Sequence, residues 1–74
     1  MDYQNKIISD PSIMLGKPII KGTRITVELI IKKLSDGFSI DDILKGYPHL
    51  EREDVLAALA YSSDVISKEE IIVS

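Results

Sequence analysis

The residues best equipped for chemistry lie together near one end of the chain. Gly16-Lys17-Pro18-Ile19-Ile20-Lys21-Gly22-Thr23-Arg24-Ile25-Thr26-Val27 holds two glycines and three bases with no acid, a composition that could cradle phosphate. A nucleotide-binding loop of the Walker type needs a Lys-Ser/Thr pair after its second glycine, opening a helix, so that backbone N–H groups converge on the phosphate. Here Lys17 follows the first glycine, and Pro18 beside it has no N–H to offer. Nucleotide binding is not expected. His49, the single histidine, sits between Pro48 and Leu50 with no serine or carboxylate at a partner's spacing. Asp41-Asp42 and the group Glu51, Glu53 and Asp54 are paired carboxylates, but each falls at an expected helix start, where the dipole accounts for it. Binding of Mg²⁺ there is the weaker reading. With no cysteine, there is no disulfide and no thiolate–zinc site. The expectation is a protein that is not an enzyme, with no catalytic residue, metal, cofactor or small-molecule substrate.

Nucleic-acid contact is harder to dismiss. The net charge of −3 argues against a general nucleic-acid binder, yet the charge is unevenly spread. Residues 1–37 carry six basic side chains against four acidic, and residues 38–74 carry three against eight. Lys17, Lys21, Arg24, Lys32 and Lys33 are therefore the candidate DNA-binding residues; a two-fold dimer could merge them into a stripe along phosphates. The competing reading makes them solvated surface charges, with Arg24 pairing Asp10 or Asp36. Five charges make a modest patch, and both readings stand.

The elements that must position these residues follow from pattern. Lys6-Ile7-Ile8 is a short β-prone run closed by Ser9-Asp10-Pro11. Pro18-Ile19-Ile20 and Thr23-Arg24-Ile25, on either side of Lys21-Gly22, read as a hairpin, with Gly22 supplying the positive φ. Thr26 caps a first helix whose stripe is Val27, Ile30, Ile31 and Leu34, and Gly37 stops it. Ser39 caps a second, with Ile40, Ile43 and Leu44 as its apolar set, ended by Gly46-Tyr47-Pro48. Glu51-Arg52-Glu53-Asp54 opens a third, running to about Ile66. Ser67-Lys68-Glu69-Glu70 resembles a further capping box, with only Ile71-Ile72-Val73-Ser74 after it. The fold class expected is mainly α: a tri-helical helix-turn-helix bundle, homeodomain-like, with a short N-terminal β-hairpin arm. It reads as one domain, with the arm at 6–25, the core at 26–66 and a tail at 67–74.

The third helix makes a poor DNA reader. On a helical wheel Val55, Leu56, Leu59 and Ile66 fall towards the core, and Ala57, Ala58, Tyr61 and Val65 form a second apolar face. The strip left for solvent holds Glu53, Ala60 and Asp64, with no donor for a base edge. A 74-residue chain hides only about 60% of its unfolded surface, so self-association is expected. The expected interface residues are Leu29, which lies opposite the first helix's stripe, with Ala57, Ala58, Tyr61 and Val65. The β-branched tail residues Ile71, Ile72 and Val73, with a free strand edge to offer, join them. The alternative is that the N-terminal arm covers the Ala57–Tyr61 face within one chain.

Several stretches together resemble a known family. Gly16-Lys17-Pro18-Ile19-Ile20-Lys21-Gly22-Thr23-Arg24-Ile25, Gly37-Phe38-Ser39, Ile43-Leu44, Tyr47-Pro48-His49-Leu50 and Asp54-Val55-Leu56-Ala57-Ala58-Leu59-Ala60-Tyr61 are similar to the small prokaryotic proteins of domain of unknown function family 433. The resemblance spans roughly residues 6 to 66. It implies a helix-turn-helix protein of the VapB antitoxin type: a homodimer that binds a PIN-domain ribonuclease toxin and regulates its own promoter, with the nuclease chemistry left to the partner. Two positions depart from the family pattern. Leu15 stands where a second glycine is common, and Thr26 where a proline is common, which implies a looser loop and a differently capped first helix. Alternative functions are a transcriptional regulator with no toxin, and a structural interaction module that binds neither DNA nor toxin. The opening MDYQNKIISD lacks a basic-then-apolar leader and no apolar run is long enough to span a membrane. A soluble cytoplasmic protein is expected.

Overall fold

The computed structural model describes residues 3–68. The tail residues Ile71, Ile72 and Val73 lie outside the described residues. Two short strands, β1 (Ile7–Ile8) and β2 (Ile19–Ile20), precede three helices, α1 (Val27–Ser35), α2 (Ile40–Gly46) and α3 (Arg52–Ser67). The expected class, a mainly helical bundle with a small antiparallel β arm, is what folds.

Each helix begins and ends for a local reason. The Thr26 hydroxyl accepts the Leu29 N–H at 3.0 Å and so satisfies one of the open donors of α1. At the other end Gly37 adopts φ 97°, which a glycine reaches without strain. The Phe38 N–H then reaches back to the Lys33 carbonyl and the Gly37 N–H to that of Leu34, a Schellman closure. Ser39 and Asp42 cap α2 reciprocally. The Glu51 N–H donates to Asp54 Oδ2 at the start of α3. Glu69 and Glu70 of the expected capping box at Ser67 lie outside the described residues. Ser67 is the last residue of α3, and its hydroxyl donates to the Asp64 carbonyl.

The arm differs from the expected hairpin. Ile19-Ile20 finds its strand partner in Ile7-Ile8, antiparallel, with Ile7 opposite Ile20 and Ile8 opposite Ile19. Thr23-Arg24-Ile25 forms a tight turn instead of a strand. The Thr23 hydroxyl donates to the Ile20 carbonyl and accepts the Ile25 N–H, and Thr26 keeps a single bridge to Ile19. Thr26 is already committed as the cap of α1, so no length remains for a second ladder.

Ile20, Val27, Ile30, Ile43, Leu50, Val55 and Ala58 form the core, drawing on β2 and all three helices. Burying an isoleucine fully is worth about 1.5–3 kcal/mol, so Ile20 and Ile30 anchor the bundle. The facing of α3 corrects the wheel. Val55, Ala57 and Ala58 are buried, the two alanines at 0% exposure, whereas Leu56 (38%), Leu59 (39%) and Ile66 (60%) face outward. The small alanines let α1 and the arm approach the α3 backbone closely, which a leucine at the same place would prevent. Ala57 and Ala58 are therefore packed inside the chain and cannot form an interface.

Candidate functional site

The arm covers one side of α3 through three contacts. Lys6 Nζ bonds Asp54 Oδ1 at 3.2 Å, the Tyr3 ring stacks on Tyr61 with centroids 5.4 Å apart, and the Tyr3 hydroxyl donates to Asp64 at 2.5 Å. The Tyr3 hydrogen bond, then that of Lys68, holds the Asp64 carboxyl below the usual carboxylate range. Tyr61 is thus half-covered by its own chain, the alternative raised for this face above.

Beyond the arm an apolar groove of about 530 Å³ runs between α1 and α3. Pro18, Val27 and Ile31 form one wall and Tyr61, Val65 and Ile66 the other, with Glu28 and Lys32 at the rim. Val65 lies on the inward side of α3 but beyond the end of the core, which leaves it 44% exposed. Of the expected interface residues, this groove brings together Tyr61 and Val65. Leu29, half-buried, lies apart with Met14, Lys17 and Lys32 in a smaller hollow of about 330 Å³.

The five candidate DNA-binding residues divide by surroundings. Lys17 Nζ bonds Glu28 at 2.8 Å, and this hydrogen bond, with the lysine's charge second, lowers the Glu28 pKa. Lys32 pairs with Asp36 one turn on, at 3.1 Å. Both pairs are solvent-exposed and contribute little to stability. Lys33 stands over the Phe38 ring, 4.9 Å from its centroid. Lys21 and Arg24 are exposed on the turn after β2, without an ion pair among the described residues. The expected partners of Arg24 are engaged elsewhere: Asp36 with Lys32, and Asp10 with Ser12, whose side-chain and backbone hydrogen bonds lower the Asp10 pKa.

Two apolar features were not singled out from the sequence: Ile31 and Pro18 line the groove, and Leu56 and Leu59 face outward from α3. Leu15, noted above as a departure from the family pattern, is 93% exposed. Leu15 crowns a turn in which Met14, Leu15 and Gly16 all have positive φ, at 50°, 59° and 80°. The leucine at a position where the resembling family commonly has glycine was the signal for that turn. No cluster of three potential metal ligands exists among the described residues, and none of their helices is long and apolar enough to cross a membrane.

Comparison with known proteins places these features in a family. Residues 7–62 match the family model described as "Protein of unknown function (DUF433)". The chain belongs to the DUF433 family. A crystal structure of a DUF433 member protein from Anabaena variabilis superposes with a TM-score of 0.81 at 31% identity, covering 88% of this chain and 64% of that one. The "Uncharacterized protein y4eO" of Sinorhizobium fredii is 30% identical over 56 residues, 76% of this chain. This DUF433 chain spans only 25% of that relative's length.

Proposed function

We propose that this DUF433 protein is an antitoxin-like binding subunit with no catalysis of its own. It acts as a cytoplasmic homodimer that engages a PIN-type ribonuclease toxin through the groove between α1 and α3. Its own promoter DNA is a secondary ligand. One observation carries the reading, namely what the third helix turns outward. A helix that reads bases presents Arg, Lys, Asn or Gln to their edges. The outer side of α3 presents Leu56, Leu59 and Ile66, with Arg52 as the one basic residue of the helix, 3.9 Å from Asp41, and Glu53 to its side, so a base edge would meet a single donor there. Exposed apolar side chains on a helix, next to an apolar groove, are suited to protein contact.

The exposed turn bearing Lys21 and Arg24 favours phosphate contact as a second role, with Lys17 beside it in sequence. The test is co-expression with an adjacent PIN-type reading frame. Copurification of the wild-type protein, lost in Ile31→Asp and Val65→Asp variants that still fold, supports the toxin-binding role. A partner that copurifies equally with both variants removes the groove from the reading. Promoter binding with no copurifying partner favours a transcriptional regulator, and neither result favours a structural interaction module.

A further inference from the structure

We infer that the outward stripe of α3 is a two-fold seam on which a second copy of the chain packs, α3 against α3 and antiparallel. The inference rests on the homodimer of the proposed function and deepens it by naming the face and its geometry. Leu56, Leu59, Ser63 and Ile66 recur at intervals of three, four and three residues, the spacing of a coiled-coil seam. All four are exposed, and Ile66, at the end of the stripe, also borders the groove between α1 and α3.

The stripe complements itself when reversed. Turned about a point level with Tyr61, Leu56 lies against Ile66 of the second copy and Leu59 against Ser63. Large side chains then meet at both ends, and a large one meets a small one towards the middle, which lets the helices close. The flanking positions agree with this direction. Ala60 comes beside Ala60, and Glu53 beside Ser67, so no like charges meet. A parallel pair would set Arg52, one heptad before Leu59 on the same stripe, against Arg52 of the second copy, and would align both helix dipoles. A second copy is thus the occupant that the pattern and charges of this face select.

A seam along one helix of about 24 Å buries less than the roughly 800 Å² per partner usual for a tight complex. The dimer therefore forms at micromolar concentration and above, and sedimentation should cover that range. The chain has no cysteine, so single cysteines report geometry without interference. Leu59→Cys and Ser63→Cys proteins, each oxidised alone and then mixed, separate the arrangements. Antiparallel packing places residue 59 against residue 63, so the mixture yields disulfide heterodimers in large excess over either homodimer. Efficient cross-linking of each variant alone means a parallel pair and overturns the inference. Leu59→Glu, a change at an exposed site that leaves the helical circular dichroism intact, should shift the wild-type dimer to monomer. A wild-type dimer that neither cross-links in the mixture nor dissociates in Leu59→Glu uses another face; the seam then fails while the homodimer stands. A wild-type chain that stays monomeric throughout overturns both.

Discussion

Leu15→Gly should stabilise this protein, although it removes a side chain. Leu15 has φ 59° and ψ 29°, in the left-handed region. An L-residue held there pays roughly 1–2 kcal/mol for the approach of its Cβ to the following carbonyl. The leucine side chain is 93% exposed, so its loss removes almost no buried surface. Glycine brings back a conformational entropy cost of about 0.5–1 kcal/mol. The balance is a gain of about 0.5–1 kcal/mol, seen as a rise in melting temperature of about 2–8 °C for a domain of this size. Leu15→Ala is the control, because it removes the same exposed surface and keeps the Cβ; its stability should stay within about 0.5 kcal/mol of wild type. Thermal melts followed by circular dichroism, with urea midpoints as a second measure, decide the matter. Equal effects of glycine and alanine, or a destabilised glycine variant, would refute the claim that strain is stored in this turn.

Three further outcomes follow from the same geometry. Gly37→Ala should lower stability by about 1 kcal/mol in the same melts, because φ 97° is strained for alanine while no neighbouring atom lies within 4 Å of the added Cβ. Asp64 has its folded-state pKa lowered by Tyr3 and Lys68, so its contribution is present above the ordinary carboxylate pKa and is lost as pH falls through the lowered one. Acid titration of stability should therefore fall less steeply below about pH 4 in Tyr3→Phe than in wild type, and equal slopes would refute the coupling. Promoter binding in a gel-shift assay should weaken steeply with added salt. It should also drop on joint replacement of Lys21 and Arg24 by alanine and survive Glu53→Lys.

What the sequence determined by itself is the set of boundaries, because each is decided within a few residues of chain. Thr26 three residues before an open N–H, Ser39 three before Asp42, Gly37 after Asp36, and Pro48 after Tyr47 set where α1 and α2 begin and end. The family signature is likewise local, and residues 7–62 match it. Tertiary structure decided the partner of each surface. Ile19-Ile20 could pair with either neighbouring run, and the turn held by Thr23, with Thr26 spent on capping, directs it to Ile7-Ile8. Alanine and leucine alternate round α3 so that no single side is plainly the more apolar. A wheel favours burying the leucines, whereas close approach of α1 and the arm requires the alanines inside. That one rotation moved Ala57 and Ala58 out of any interface and turned Leu56 and Leu59 towards solvent. Which residues of α3 are available to another protein is thus a property of how the helix docks, since its own apolar pattern satisfies both orientations.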